Sequence, residues 1–137
     1  MKIRITTSSK VNDGYFVPGV YTVLAIEISD KGTEYYCYCN PEIPIPDAVD
    51  SSSVAIVDNA IPPDWTIRSV TYHGEKQAVR ISFKGWAEDT FFYWNLSEGD
   101  YASTMLGQDK LKEYDPEEYA KRQEYFTSWR HRVQPKP

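Results

Sequence analysis

The sequence predicts an α+β fold, mainly β: a twisted antiparallel sheet or a small, partly open barrel, with a C-terminal α-helix packed on it. Three observations predict it. Short runs of alternating apolar and polar residues recur up to about residue 95, each bounded by Gly, Pro, Asp or Ser. A segment near the C-terminal end then changes to apolar spacings of three and four. Finally, 41% hydrophobic and 15% aromatic residues provide enough apolar area for a packed core. A chain of 137 residues suits a single domain, divided into a β-rich part over 1–95 and a helical part over 100–134.

Taken in order, Lys2 to Thr6 alternates as a first strand, and Thr7 to Gly14 is a polar loop. Tyr15-Phe16-Val17 leads into Pro18-Gly19, a dipeptide that favours a type II turn. Val20 to Ile28 reads as one strand whose two alternating sets are both apolar, so both of its faces are covered. Ser29-Asp30-Lys31-Gly32 turns a hairpin, with Thr33 to Asn40 returning. Pro41, Pro44 and Pro46 exclude a central strand before Ser53. Ser53 to Asp58 is a short apolar strand, and Ile61-Pro62-Pro63-Asp64-Trp65 is a rigid corner. Trp65 to His73 and Lys76 to Phe83 form a second hairpin around Gly74-Glu75, and Phe91-Phe92-Tyr93-Trp94 reads as a further strand.

Asp115-Pro116-Glu117-Glu118 joins a capping acid to a proline at the first helical position and acids in the first turn. Tyr119, Arg122, Phe126, Trp129 and Val133 then share one stripe, which the fold would lay on the sheet. Arg130, His131 and Arg132 complement the dipole at the far end. A shorter helix fits within Asp100 to Lys112.

No convergent catalytic or metal-binding set emerges from these elements. His73 falls at a hairpin turn and His131 at a basic helix end. Cys37-Tyr38-Cys39 is a poor zinc chelate without a fourth ligand, and its acidic, aromatic setting disfavours a thiolate nucleophile. Two cysteines at i and i+2 bridge only with strain, so both are expected reduced. Gly32, Gly74, Gly85, Gly99 and Gly107 are isolated and cradle no phosphate. No cofactor is expected. The chain has no apolar run of about 20 residues and no signal-peptide pattern, so a cytoplasmic location without membrane contact is expected.

Charge is distributed unevenly behind a net −5. From Glu27 to Asp64, eight acids against Lys31 alone leave that stretch at −7; from Arg68 to Lys84, four bases against Glu75 leave +3. A field of this kind steers a basic partner. Direct nucleic-acid binding is disfavoured, because phosphate affinity needs a basic surface.

Two stretches carry a resemblance. The first runs Tyr15-Phe16-Val17-Pro18-Gly19-Val20-Tyr21-Thr22-Val23-Leu24, ahead of an acidic hairpin with Tyr35-Tyr36. The second is Ala55-Ile56-Val57-Asp58-Asn59-Ala60-Ile61-Pro62-Pro63-Asp64-Trp65. Together, over roughly residues 15 to 65, they resemble small immunity proteins of bacterial polymorphic toxin and contact-dependent growth inhibition systems. The resemblance implies a non-enzymatic inhibitor of a cognate toxin domain, with Pro62, Pro63 and Trp65 as structural residues. It fits the acidic stretch, since many such toxins are basic nucleases. On this reading Glu27, Asp30, Glu34, Glu42, Asp47 and Asp50 form part of the binding face, and Tyr35, Tyr36 and Tyr38 anchor the partner where they point outward. A non-catalytic protein-binding or adaptor module of a bacterial or phage system is the alternative. A small enzyme would require facing acids in a cleft, or Cys39 within reach of His73.

Overall fold

The computed structural model describes residues 1–6, 10, 11, 14–40, 45–72, 76–89 and 100–133. The fold is α+β, with two main antiparallel sheets and C-terminal helices. A three-stranded sheet places β1 (Lys2–Ile5) between β4 (Gly19–Thr22) and β8 (Val54–Asp58). A five-stranded sheet runs β7 (Asp47–Asp50), β6 (Gly32–Cys37), β5 (Ala25–Ser29), β10 (Lys76–Phe83), β9 (Trp65–Tyr72). A small ribbon pairs β2 (Lys10–Val11) with β3 (Gly14–Tyr15). Among the described residues the sheets do not close into a barrel. The proposed strand at Phe91 to Trp94 lies outside the described residues, as do Pro41, Pro44, Glu42 and His73.

The expected strand from Val20 to Ile28 is two strands in two sheets. Val23 donates its N–H to the Met1 carbonyl at 3.0 Å in the first sheet, and Leu24 donates to the Tyr36 carbonyl at 2.8 Å in the second. The switch occurs between adjacent residues, so the two neighbours enter different cores: Val23 packs with Ile3, Ile5 and Phe16, and Leu24 with Phe83 and Trp86. Gly19 opens β4 at a nearly extended φ of 158° instead of making a type II turn. The β5–β6 hairpin forms as expected, with Ser29 paired to Gly32 around Asp30-Lys31. Gly32 sits at φ 116°, which a side chain would strain.

Helix α1 spans Lys84–Ala87, α2 Tyr101–Tyr114 and α3 Pro116–Val133. Both long helices are capped by the acids that precede them: Ser103 N–H donates to Asp100 Oδ2 at 3.0 Å, and Glu118 N–H to Asp115 Oδ1 at 3.0 Å. Helix α2 continues two residues past the expected end because Asp115 alone links it to α3. The aromatic stripe of α3 divides its contacts. Phe126 packs on Tyr38 of the sheet layer at 5.0 Å between ring centres, whereas Trp129 stacks on Tyr101 of α2 at 5.5 Å. The five-stranded sheet thus has a core on each face, one against the three-stranded sheet and one against the helices.

Candidate protein-binding interface

Register places five charges in one row across the helix-side face of the five-stranded sheet. Arg68 on β9 pairs with Arg80 on β10, Arg80 with Glu27 on β5, Glu27 with Glu34 on β6, and Glu34 with Asp50 on β7. The middle of the row is sealed. Arg80 has no exposed surface; its Nε donates to Glu27 Oε2 at 3.1 Å, and its Nη1 donates to the Trp86 and Asp89 carbonyls at 3.0 and 2.8 Å. At one end Arg68 pairs with Glu88 at 2.8 Å. The other end is acidic and open. Glu34 is half-buried between Glu27 and Asp50, and burial, then those two carboxylates, push its carboxyl above the ordinary range against a weaker pull from Lys31. Asp50 is exposed and held low by the Ser52 hydroxyl and N–H that it accepts. Asp30 is exposed in the hairpin turn at this same end of the sheet.

Two expected contact residues, Glu34 and Asp50, are therefore cross-strand neighbours, and Asp30 is exposed in the β5–β6 turn. Glu27 belongs to their row but is buried in its ion pair, which corrects its assignment to a binding face. The tyrosines are corrected likewise. Tyr35 lies in the core between the sheets, Tyr36 and Tyr38 in the core under the helices, and all three are between 1% and 7% exposed. The sheet has a core on each face where Tyr35, Tyr36 and Tyr38 lie, so neither side of this part of the chain leads to solvent. Asp47 is half-buried at the opposite end of β7, where burial raises its carboxyl. Cys37 and Cys39 are fully buried free thiols, and the hydrogen bond between them together with burial raises Cys37 well above the ordinary thiol range.

Two surface features were not legible in the sequence. The apolar stretch from Ala55 to Ile61 is exposed, with Ile56 at 52%. Its strand part is paired with β1, and the corner after it is fixed by Trp65 Nε1, which donates to the Tyr114 hydroxyl at 3.1 Å, which donates to Asp64 at 2.8 Å. The second feature is Glu118, 7% exposed, whose Oε1 accepts the Thr22 N–H at 3.1 Å while Oε2 has no hydrogen-bond partner among the described residues. Thr22 also donates its hydroxyl to Asp115 at 2.8 Å, and Lys2 reaches Asp115 at 3.4 Å. Asp115 and Glu118 are spaced as a capping box, the one sequence signal for this cluster, although Glu118 reaches a strand instead of its own helix end.

Burial raises Glu118 to about 7 against the opposing pull of Arg122 and the Thr22 N–H. A raised carboxyl binds its proton more tightly in the folded chain. Stability is therefore greatest below the unfolded value near 4.5 and declines as pH rises toward 7. Denaturant melts are expected to lose on the order of 2–3 kcal/mol from this group across that window. Glu34 and Asp47 titrate in the same direction, so Glu118→Gln isolates the effect. The variant should unfold at higher denaturant than the parent at pH 8 and match it near pH 4.5. An unchanged pH profile would contradict the assignment.

Among the described residues no helix is long and apolar enough to cross a membrane, and no three His, Cys, Asp or Glu side chains group as a metal site. No protein-family model, curated protein or solved structure matches this chain.

Proposed function

We propose that this protein is a non-catalytic inhibitor that binds and neutralises a cognate toxin domain, meeting a basic surface of it with the acidic end of its five-stranded sheet. The row Glu27–Glu34–Asp50 carries the reading. Like charges directly opposite on neighbouring strands destabilise a sheet, so fold stability does not account for Glu34 and Asp50 beside an already paired Glu27. A basic partner removes that cost on binding and gains association rate from the same field. The resemblance over residues 15 to 65 supports a toxin domain as that partner, and a nuclease cleft built to attract phosphate is such a surface.

Co-expression with the C-terminal domain of the protein encoded immediately upstream tests the reading. Restored growth and co-purification support it; a domain that is harmless, or that kills regardless, contradicts it for that pair. A second result separates binding from folding. Glu34→Gln should stabilise the free protein by a few tenths of a kcal/mol, since a like-charge contact is removed. The pair Glu34→Lys with Asp50→Lys should slow association with the toxin domain at least about tenfold at low salt, with less effect at high salt. Urea unfolding reads the first change and surface plasmon resonance across ionic strengths the second, and an unaltered association rate would place the interface elsewhere.

A further inference from the structure

The two sheets have four outer edges, and three of them are protected. At β4, Thr22 turns its N–H outward and Glu118 of α3 accepts it at 3.1 Å. At β7, Asp47 and Asp50 put a carboxylate at each end of a four-residue strand. At β9, Arg68 sits at the centre of the strand, paired with Glu88 beside it. Charge, brevity and cover are the means by which proteins keep sheet edges from pairing. The fourth edge, β8, is the least protected among the described residues: its one charge is Asp58 at the end, and its one irregularity is the register shift against β1 at Val57. It reads Val54-Ala55-Ile56-Val57-Asp58, uncharged until its last position, without proline, and exposed from Ala55 onward.

Hydrogen-bond alternation tells which β8 groups face outward. The Val23 N–H to Met1 carbonyl bond fixes the bonded pairs of β1 with β4, and 3 with 21 and 5 with 19 follow by alternation. Lys2 and Arg4 therefore bond toward β8. Ala55, opposite Arg4, faces β1 with its backbone, and Ile56 presents its N–H and carbonyl to the open edge.

We propose that this edge pairs with β8 of a second copy, antiparallel about a two-fold axis at Ile56. That axis makes Ile56 and its symmetry mate a bonded pair exchanging two N–H···O contacts, with Ala55 opposite Val57 on either side. All three positions are apolar, so the strand is its own complement. The charges also agree. Asp58 of each copy falls at an opposite end of the pair, roughly 13 Å from the other along the strands, farther than the Debye length of about 8 Å at physiological salt. The same operation on β9 about its central arginine would set Arg68 against Arg68. The register shift between Lys2 and Ile3 ends the regular pairing of β8 with β1 at Ile56 and leaves Val57 as the bulged residue. The contact is accordingly short, below the roughly 1,200 Å² that marks standard interfaces, and the dimer is reversible and not obligate.

Sedimentation equilibrium of the full chain from roughly 5 to 500 µM, where small interfaces associate, tests this. The mass-average should rise from 15.8 kDa toward twice that value. Ile56→Lys, at a position already 52% exposed, should keep the fold and remain monomeric throughout. Ile56→Cys should cross-link under mild oxidation much faster than Ala55→Cys, whose symmetry mates are out of register; Cys37 and Cys39 are buried and silent. A parent protein that stays monomeric, or an Ile56→Lys variant that associates equally, overturns the proposal. So does a monomer in which Ile56→Lys instead abolishes capture of the toxin domain, because the edge then belongs to that partner. None of these outcomes depends on the acidic end of the other sheet, so the two readings fail separately.

Discussion

Replacing Arg80 with Met is expected to destabilise the fold by about 3–5 kcal/mol, the cost of removing one partner of a buried ion pair. Met approximates the volume of the aliphatic stem, so the loss is electrostatic and not a cavity. Glu27 would remain at 8% exposure without its guanidinium, and the Trp86 and Asp89 carbonyls would lose their donors. Those carbonyls belong to the segment that seats Trp86, a fully buried side chain, so the damage extends into the helix-side core. Urea unfolding followed by tryptophan fluorescence measures the change. The double variant Arg80→Met with Glu27→Gln should recover a large part of it, because the orphaned charge is gone. If the double variant were as unstable as the single one, the ion pair would not be what Arg80 contributes.

Gly107→Ala should cost about 1–3 kcal/mol, against the direction that helix propensity gives. Position 107 is inside α2, where alanine in place of glycine ordinarily stabilises by about 1 kcal/mol. Here a Cβ would run into the Trp86 ring and stand 2.8 Å from the Tyr38 hydroxyl. Neither neighbour yields easily. Trp86 Nε1 donates to the Ser103 carbonyl at 3.0 Å, the Tyr38 hydroxyl lies 3.5 Å from the Thr104 carbonyl, and both rings are buried in the same core. Overpacking therefore outweighs propensity. Thermal unfolding of Gly107→Ala, alone and combined with Trp86→Phe, tests the cause: the smaller ring should restore most of the loss. A stabilised Gly107→Ala would mean that α2 can move away from the sheet.

Much of the fold was legible because its signals are local. The Asp30-Lys31 turn, the glycine after it and the Asp115-Pro116 helix start each need only neighbouring residues, and each forms as expected. The shortfalls come from questions no local pattern answers. Val20 to Ile28 alternates like one strand, yet the chain changes sheets at Val23-Leu24, and alternation alone does not report which sheet a residue bonds to. Val54 to Val57 is apolar enough for a core strand, and only its place at the edge exposes it. Tyr35, Tyr36 and Tyr38 stand among acids in sequence but between two packed layers in space. For the candidate interface, the sequence supplied the charges; the pairing of β5, β6 and β7 decided that Glu34 and Asp50 share one row while Glu27 disappears beneath Arg80.

The change of sheet at Val23-Leu24 also orders how the chain assembles. The β5–β6 hairpin closes over a two-residue loop, and β9 with β10 is closed within one short stretch of chain. Joining the two hairpins brings Ala25 to Ser82, and the three-stranded sheet brings Lys2 to Asp58, so each sheet also needs a pairing between distant parts of the chain. Loop closure makes such distant pairings slow and entropically costly to begin. The two hairpins are therefore the local starting points, and the switch at Val23-Leu24 ties β4 directly to the first of them. Because β1 needs β4 on one side and β8 on the other, the N-terminal strand is complete only when both neighbours are in place.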